Sequence, residues 1–119
     1  MRAPLTPDAA QTAELLPAQL APVFFALGDV TRLRLIGLLC AGESASITRL
    51  TDGTGLTRQA VTKHLEVLAE AGLVHDTKVG RERHWQFDPA QLYLARQSLD
   101  RIGAQWDVAL ERLKRMLEG

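Results

Sequence analysis

The sequence has little cysteine, no long apolar run and no excess of charge of either sign. Cys40 is the one cysteine among 119 residues, which excludes an internal disulfide and gives no sign of secretion. No apolar run approaches the roughly 20 residues that span a membrane. Arg2 lies near the start, but no apolar core leading to a cleavage site follows it, so no signal peptide is expected. These absences favour a cytoplasmic protein with no membrane partner.

The charge balance excludes a uniformly basic chain. Lysine and arginine together number 14, aspartate and glutamate also number 14, and the formal net charge is zero. A nucleic-acid-binding domain usually has an excess of basic residues, so the charge of the whole chain weighs against DNA binding. Such a function would require a local cluster of basic side chains. The apolar share of 46% and the charged share of 24% are ordinary for one small globular domain.

Motifs for catalysis are missing as well. The chain has no phosphate-cradling glycine loop, no nucleophile elbow and no pair of acids at a useful spacing. The glycines of D-G-T-G (52–55) are better explained as a corner between two helices, where they permit a positive φ. The sequence therefore predicts no enzyme and no catalytic residue.

The stretch 55–74, G-L-T-R-Q-A-V-T-K-H-L-E-V-L-A-E-A-G-L-V, is the most informative part of the chain. Thr57 suits the N-cap of a helix, and Gly72 suits the left-handed position that closes one. The apolar residues between them have the 3-then-4 spacing of an amphipathic helix. They are Leu56, Ala60, Val61, Leu65, Leu68 and Ala71.

The first two turns of this predicted helix carry hydrogen-bond donors and no acid. These donors are Arg58, Gln59, Thr62, Lys63 and His64. A helix whose N-terminal end is crowded with donors suits insertion into the major groove of DNA. Arg58 and Gln59 have the forked geometry that reads base edges, and His64 is expected to reach a phosphate or a base edge. The alternative is the solvated face of a helix in a bundle.

Two extended segments follow and predict a β-hairpin. The run L-V-H-D-T-K-V (73–79) predicts one strand, and E-R-H-W-Q-F (82–87) predicts a second strand that pairs with it across a turn at residues 80–81. Helix, helix and hairpin in this order is the winged helix-turn-helix arrangement. Trp85 and Phe87 alternate with polar residues and are expected in the core beneath the hairpin. The predicted wing carries the cations Lys78, Arg81 and Arg83, diluted by the acids Asp76 and Glu82.

Two predicted helices carry more apolar surface than one small domain can bury. Asp88-Pro89 is an N-cap followed by proline at the first helical position, and this helix runs to about Glu118. Its apolar residues step by 3 and 4 through more than three heptads: Leu92, Ala95, Leu99, Ile102, Trp106, Ala109, Leu113 and Met116. The other helix covers about 18–27, and its apolar side carries Leu20, Val23, Phe24 and Leu27.

The expected partner for this surplus is the same helix of a second subunit, which makes the protein a homodimer. An intramolecular bundle is the alternative, but no third long helix is available to complete it. The predicted interface residues are Leu20, Phe24, Leu92, Leu99, Ile102, Trp106 and Leu113.

The rest of the chain predicts one domain behind a short tail. Residues 1–17 form the tail, with a short helix over 9–16 that Pro17 interrupts, and residues 18–119 form the domain. T-R-L-R-L-I-G-L-L (31–39) predicts a core helix with Leu33, Ile36 and Cys40 on its core face. Arg32 and Arg34 are interpreted as solvated, and a place near a phosphate backbone is the alternative. A short helix is expected over 46–50, before the D-G-T-G corner.

Three stretches within Leu27 to Phe87 carry a family resemblance: A-L-G-D-V-T-R-L-R-L-I-G-L-L, T-R-Q-A-V-T-K-H-L-E-V-L-A-E-A-G-L-V and V-G-R-E-R-H-W-Q-F. The chain resembles the DNA-binding domain of the ArsR-type bacterial transcriptional repressors. The resemblance implies a mainly α fold with a small β-hairpin wing, in the order α-α-α-α-β-β-α. It also implies a dimer that binds double-stranded DNA at an inverted-repeat operator. The predicted DNA-binding residues are Thr57, Arg58, Gln59, Thr62, Lys63, His64, Lys78, Arg81 and Arg83.

Many regulators of that family sense metals, but the ligand sets that the resemblance would imply are missing. Ser46 and Thr48 stand where the arsenic and cadmium branches have thiolates, and neutral hydroxyls bind soft metals poorly. The last helix lacks the histidine that the zinc branch uses. The run W-D-V-A-L-E-R-L-K (106–114) resembles a branch that is often not linked to metals. No metal and no cofactor is therefore expected.

Two functions besides DNA-dependent repression stay open at this stage. The neutral net charge and the acids of the wing favour a dimerisation or protein-interaction module that keeps the fold without binding DNA. A small-molecule inducer bound at the dimer interface near Trp106 would instead make the protein a sensor. The intact run 57–64 opposes the first of these alternatives.

Overall fold

Helices dominate the computed structural model, which describes residues 17–42 and 44–119. After a 3₁₀ turn at Ala18–Leu20, the elements are α1 (Ala21–Leu27), α2 (Val30–Cys40), β1 (Ala45–Ser46), α3 (Ile47–Thr54), α4 (Arg58–Glu70), β2 (Val74–Val79), β3 (Glu82–Phe87) and α5 (Ala90–Glu118). This order confirms the predicted mainly α winged helix-turn-helix with a small hairpin wing. The helix predicted over 9–16 lies outside the described residues.

Side-chain caps fix where α2, α3 and α4 begin. Asp29, Ser46 and Thr57 each accept a hydrogen bond from the backbone N–H three residues later, at 3.0, 3.2 and 3.1 Å. Each such cap contributes about 1 kcal/mol to stability. Asp88 Oδ1 accepts from the backbone N–H of Ala90 at 3.0 Å, so α5 begins one residue later than the Asp-Pro motif predicts.

The core lies between α4, the other helices and the inner face of the hairpin. Val61, Leu65 and Leu68 of α4 have no exposed surface, and Leu73 continues this buried line toward β2. Trp85 of β3 is also fully buried, which confirms its predicted place beneath the hairpin. The element that carries the predicted DNA contacts is therefore also the centre of the fold.

The three strands form one antiparallel sheet in the order β1-β3-β2. The pairing of Val79 with Glu82 leaves Gly80 and Arg81 as a two-residue hairpin turn, as predicted. Gly80 has φ of 66°, which suits the twist of a tight hairpin. Pairing of Ala45 with Trp85 attaches the short strand before α3 to the base of the wing.

The core face of α2 differs from the predicted one. Leu35 and Leu39 are buried, whereas Leu33 is 52% exposed. Cys40 is also exposed, so its expected place on the core face is wrong. Apolar residues occur on nearly every side of this helix, and for that reason their spacing does not select one face.

The corner between α3 and α4 is shorter than the D-G-T-G motif suggests. Asp52, Gly53 and Thr54 belong to α3, and the left-handed residue of the corner is Gly55, with φ of 71°. The helix predicted over 46–50 is therefore wrong at its C-terminal end. Gly53 serves packing instead, because a Cβ at this position would lie 3.0 Å from Leu38 Cδ1.

The last helix, α5, is 29 residues long and packs against α1 and the 3₁₀ turn. Ala95, Ser98 and Ala109 are its buried residues. Among the exposed large apolar residues of α5, four lie on one face and are named here the α5 stripe: Leu99, Trp106, Leu110 and Leu117. Their steps of 7, 4 and 7 return to the same face of a helix. Of the predicted heptad, Ala95 and Ala109 are buried, whereas Leu99, Trp106 and Met116 are exposed, and the stripe shares only Leu99 and Trp106 with it.

The two apolar residues predicted for the first helix at the subunit interface have different environments. Leu20 is 2% exposed and belongs to the core of its own chain, so its prediction as an interface residue is wrong. Phe24 is half-buried against that core. The helical pattern could not assign Leu20, because the same spacing describes a face that packs within one chain or between two.

The position of the left-handed residue gives a testable prediction. Gly55→Ala is expected to lower the free energy of unfolding by about 1–2 kcal/mol, because a positive φ is strained for a residue with a Cβ. Gly53→Ala is the matched control, since it keeps helical φ and displaces only the end of Leu38. Urea denaturation measures both. A larger loss for Gly53→Ala than for Gly55→Ala would contradict the observed end of α3.

Candidate nucleic-acid interface

The orientation of α4 decides which of its side chains reach outward. Because its apolar face fills the core, Arg58, Gln59 and Lys63 are exposed at the opposite face near the N-terminus. Two threonines in this region are already engaged with the backbone. Thr57 Oγ1 is the N-cap acceptor, and Thr62 Oγ1 donates to the Arg58 carbonyl at 2.8 Å. The donors that this helix end presents to solvent therefore belong to Gln59, Lys63 and the remaining N–H groups of Arg58.

A cleft of about 380 Å³ lies between the start of α4 and the wing. Its walls are Ser46, Ile47, Thr48, Arg58, Thr62, Arg81, Glu82 and Arg83. Three arginines outweigh one acid, so the cleft is locally positive although the chain has no net charge. Arg58 Nη1 lies 3.4 Å from Thr48 Oγ1 at the wall of the cleft. Guanidinium forks match phosphate oxygens well, so the cleft suits a nucleic-acid backbone.

The arginines of the wing differ in how they are held. Arg83 Nε donates to Asp76 Oδ2 at 2.7 Å, and its guanidinium carbon lies 4.8 Å from the Trp85 ring centroid. The hydrogen bond from Arg83, aided by its charge, holds the pKa of the Asp76 carboxyl below its usual value against an opposing effect of desolvation. Arg83 is thus fixed and partly neutralised, whereas Arg81 at the turn is exposed.

The remaining cations and donors lie outside the cleft walls. Gln59, Lys63 and Lys78 are exposed beside the cleft and do not line it. Lys78 is the cross-strand partner of Arg83, so the two side chains leave the same face of the hairpin. The structure therefore groups the predicted site residues into an arginine-lined cleft and an exposed margin around it.

His64 and Arg32 take places that the sequence did not predict. His64 is half-buried, and its Nδ1 lies 3.3 Å from Arg32 Nη1, so this edge of the ring faces α2 rather than solvent. Arg32 was expected to be solvated, which is wrong: Nε and Nη2 donate to the carbonyls of Ala26 and Phe25. The sequence did not predict these contacts, because a polar side chain that bonds residues of other helices produces no periodic pattern in the sequence.

Two hydroxyl residues of the cleft were missed as part of the candidate site. Ser46 and Thr48 were considered only as positions of a metal box, yet they line the cleft at the start of α3. The available signal was the N-cap serine, which marks a helix N-terminus where anions are favoured. The distance between this helix end and the wing depends on the pairing of β1 with β3, which the sequence did not reveal.

Neither a metal centre nor a membrane span is found in the part of the chain that the structure describes. No three His, Cys, Asp or Glu side chains come together there as metal ligands would. The histidines have single acidic neighbours: His64 with Asp29 at 3.9 Å, His75 with Asp88 at 3.9 Å and His84 with Glu82 at 3.1 Å. No described helix combines the length and apolarity that crossing a bilayer requires.

The region around this surface matches known proteins. Residues 27–77 match a family model described as a helix-turn-helix domain. The HTH-type transcriptional regulator Rv2034 of Mycobacterium tuberculosis is 36% identical over 93 residues, which cover 78% of this chain and 83% of that protein. The arsenical resistance operon repressor of Escherichia coli is 33% identical over 75 residues, which cover 63% of this chain and 62% of the repressor.

A solved structure extends the similarity to the fold. The ArsR-like transcriptional regulator from Rhodococcus sp. RHA1 superposes with a TM-score of 0.77 and 40% sequence identity. The superposition covers 85% of this chain and 92% of that protein. These relatives are transcriptional regulators and not enzymes. The sequence motifs, the winged fold, the arginine-lined cleft and these similarities agree, and the chain belongs to the ArsR family of DNA-binding helix-turn-helix transcriptional regulators.

Proposed function

We propose that this protein represses transcription in the cytoplasm by binding an inverted-repeat operator as a homodimer. The observation that carries the proposal is that Arg58, an exposed donor of α4, also lines the arginine-lined cleft beside the wing. Phosphate contacts position a protein on DNA, and base contacts specify the sequence. One continuous face therefore supplies both kinds of contact. Similarity to the Escherichia coli repressor supports repression as the outcome.

We divide the proposed contacts by role. Gln59 and Lys63 project from the exposed face of α4 outside the cleft, and this supports base contacts in the major groove. Arg58 and Arg81 line the cleft, and this supports contacts to phosphates on either side of the groove. Arg83 makes a weaker phosphate contact in this scheme, because Asp76 already takes one of its donors. Lys78, Thr57 and Thr62 lie at the margin or are engaged with the chain itself.

The α5 stripe supports the homodimer. Contiguous exposed apolar surface on a soluble protein commonly marks an interface, and Leu99, Trp106, Leu110 and Leu117 are 44–80% exposed. The partly buried residues Phe24, Leu92, Ile102 and Leu113 border the stripe in this proposal. Pairing two stripes would place two copies of α4 for major grooves about one helical turn, ~34–36 Å, apart.

One observation favours a second candidate, a dimeric interaction module that does not bind DNA. Asp76 neutralises Arg83, and Glu82 places a second acid in the cleft wall, so the positive charge of the wing is reduced. In that case the exposed donors of α4 would be solvated and would have no sequence preference. The substitutions of Gln59 and Arg81 described below separate the two candidates, since their effects are measured on DNA binding.

Base readout by α4 is tested at Gln59. Gln59→Ala is expected to relax the preference at one base pair of each half-site, with a loss of about 1–3 kcal/mol on the preferred sequence, because the amide can no longer bond a base edge. Fluorescence anisotropy with systematically altered operators measures the preference. An unchanged preference would remove Gln59 from base recognition.

The phosphate role of the cleft is tested at Arg81. Arg81→Ala is expected to weaken binding to all duplex sequences alike and to reduce the salt slope of log K by about 1, because one phosphate contact is lost. Arg115→Ala is the matched control, since it removes the same charge from the far end of α5. Equal effects of the two substitutions would show that only net charge matters, which contradicts the assigned contact.

The role of the α5 stripe is tested by placing a glutamate on the stripe in one variant and on the opposite face of α5 in another. Leu99→Glu is expected to yield a folded monomer that binds the operator at least tenfold more weakly, since the charge would be buried in the dimer. Val108→Glu is the control, because Val108 is equally exposed and lies about two and a half turns further on, at the opposite face. Sedimentation equilibrium reports the oligomeric state. A dimeric Leu99→Glu protein would contradict the assigned interface.

A further inference from the structure

A connected group of three side chains, Arg32, Asp29 and His64, is named here the Arg32 cluster. It lies where the C-terminal end of α1 and the start of α2 meet α4. Arg32 Nε donates to the Ala26 carbonyl at 2.7 Å, and Nη2 donates to the Phe25 carbonyl at 3.2 Å. Nη1 lies 3.3 Å from His64 Nδ1. Asp29 Oδ2 accepts from the Arg32 backbone N–H at 3.0 Å and lies 3.9 Å from the same imidazole nitrogen.

The Arg32 cluster provides hydrogen-bond donors for backbone carbonyls at the C-terminal end of α1. The last carbonyls of a helix have no partner within it, and they form the negative end of its dipole. The Arg32 guanidinium satisfies two of these carbonyls at the end of α1 and lies 5.4 Å from the Phe25 ring centroid. Asp29 balances the charge of Arg32: the hydrogen bond from the Arg32 backbone N–H, with the Arg32 charge, holds the pKa of the Asp29 carboxyl below its usual value.

The contact with Arg32 dictates the state of the His64 ring. A guanidinium has donors and no acceptor, so His64 Nδ1 must accept and the proton of the neutral ring lies on Nε2. We propose that His64 is a positioning residue whose Nδ1, bonded to Arg32, fixes α4 against the end of α1, and that it acts through this bond rather than by touching DNA. The proposal rests on the proposed function, because its main effect is on operator binding.

The cluster connects the two halves of the proposed mechanism. α1 packs against both α4 and α5, and α5 carries the stripe assigned to the dimer. A dimer meets two successive major grooves only if each α4 is held at a fixed place relative to the dimer axis. A guanidinium that bonds α1 carbonyls and an α4 imidazole at the same time supplies such a link.

Two substitutions at position 64 test the Nδ1 and Nε2 edges of the imidazole separately. Asparagine can place an acceptor oxygen near the Nδ1 position, whereas glutamine places its amide near the Nε2 position. Operator affinity is compared for His64→Asn and His64→Gln at fixed pH and salt, with circular dichroism to show that both are folded. We expect His64→Asn to stay within about threefold of wild type and His64→Gln to lose about tenfold, as for one lost hydrogen bond to a charged group. The reverse order, or equal losses, would overturn the proposal.

Arg32→Lys supplies a second test in the same assay. Lysine keeps the charge, but a single ammonium cannot replace the planar fork that bonds two carbonyls and the imidazole. In the Arg32→Lys background the difference between the asparagine and glutamine variants at position 64 should disappear, as a double-mutant cycle measures. A difference that persists there shows that position 64 does not act through Arg32.

The tautomer of His64 gives a readout that needs no DNA. Nitrogen-15 shifts of the imidazole in the free wild-type protein should report a proton on Nε2 and an accepting Nδ1. A proton on Nδ1 would overturn the proposal. Failure of the wild-type protein to bind any operator would instead contradict the proposed function, and the tautomer would still decide whether the Arg32 cluster exists as described.

Discussion

Burial of one face of α4 is the constraint on which the rest of the structure depends. Val61, Leu65 and Leu68 have no exposed surface, and each fully buried aliphatic side chain contributes about 1.5–3 kcal/mol. Rotating the helix by one residue, about 100°, would expose this face and lose several kcal/mol. The same packing that stabilises the domain therefore holds Arg58 and Gln59 outward. The orientation of the candidate DNA-binding surface is therefore set by the core behind it.

Local charge explains how a chain with no net charge can be a DNA-binding regulator. Three arginines meet in the cleft beside α4, although the chain has 14 basic and 14 acidic residues. Asp76 and Glu82 moderate this positive surface within the wing. The electrostatic attraction to phosphates is thus confined to a small area. In the proposed function, such an arrangement leaves more of the discrimination to base contacts from α4, and two copies of the surface raise the affinity of the proposed dimer.

Sequence patterns predicted the elements whose signals are local. The Thr57 cap, the left-handed Gly72 and the Gly80-Arg81 turn each depend on a few neighbouring residues, and all three are found. The core face of α2 was mistaken because that helix is apolar on most sides. Contacts over long sequence distances, such as Arg32 with His64, follow only from the three-dimensional packing. Much of the fold was therefore predictable. The sequence did not predict which site residues line the cleft, which lie outside it, and that His64 is half-buried against Arg32.

Selection of binding sites from a random pool of duplex DNA, at near-physiological salt, tests the central claim most directly. Our account predicts enrichment of an inverted repeat whose half-sites lie about one helical turn apart, because two copies of α4 are held by one dimer. The selection should use protein shown beforehand to be folded and dimeric. Failure of that protein to enrich any sequence would contradict sequence-specific binding by α4 and favour the interaction module.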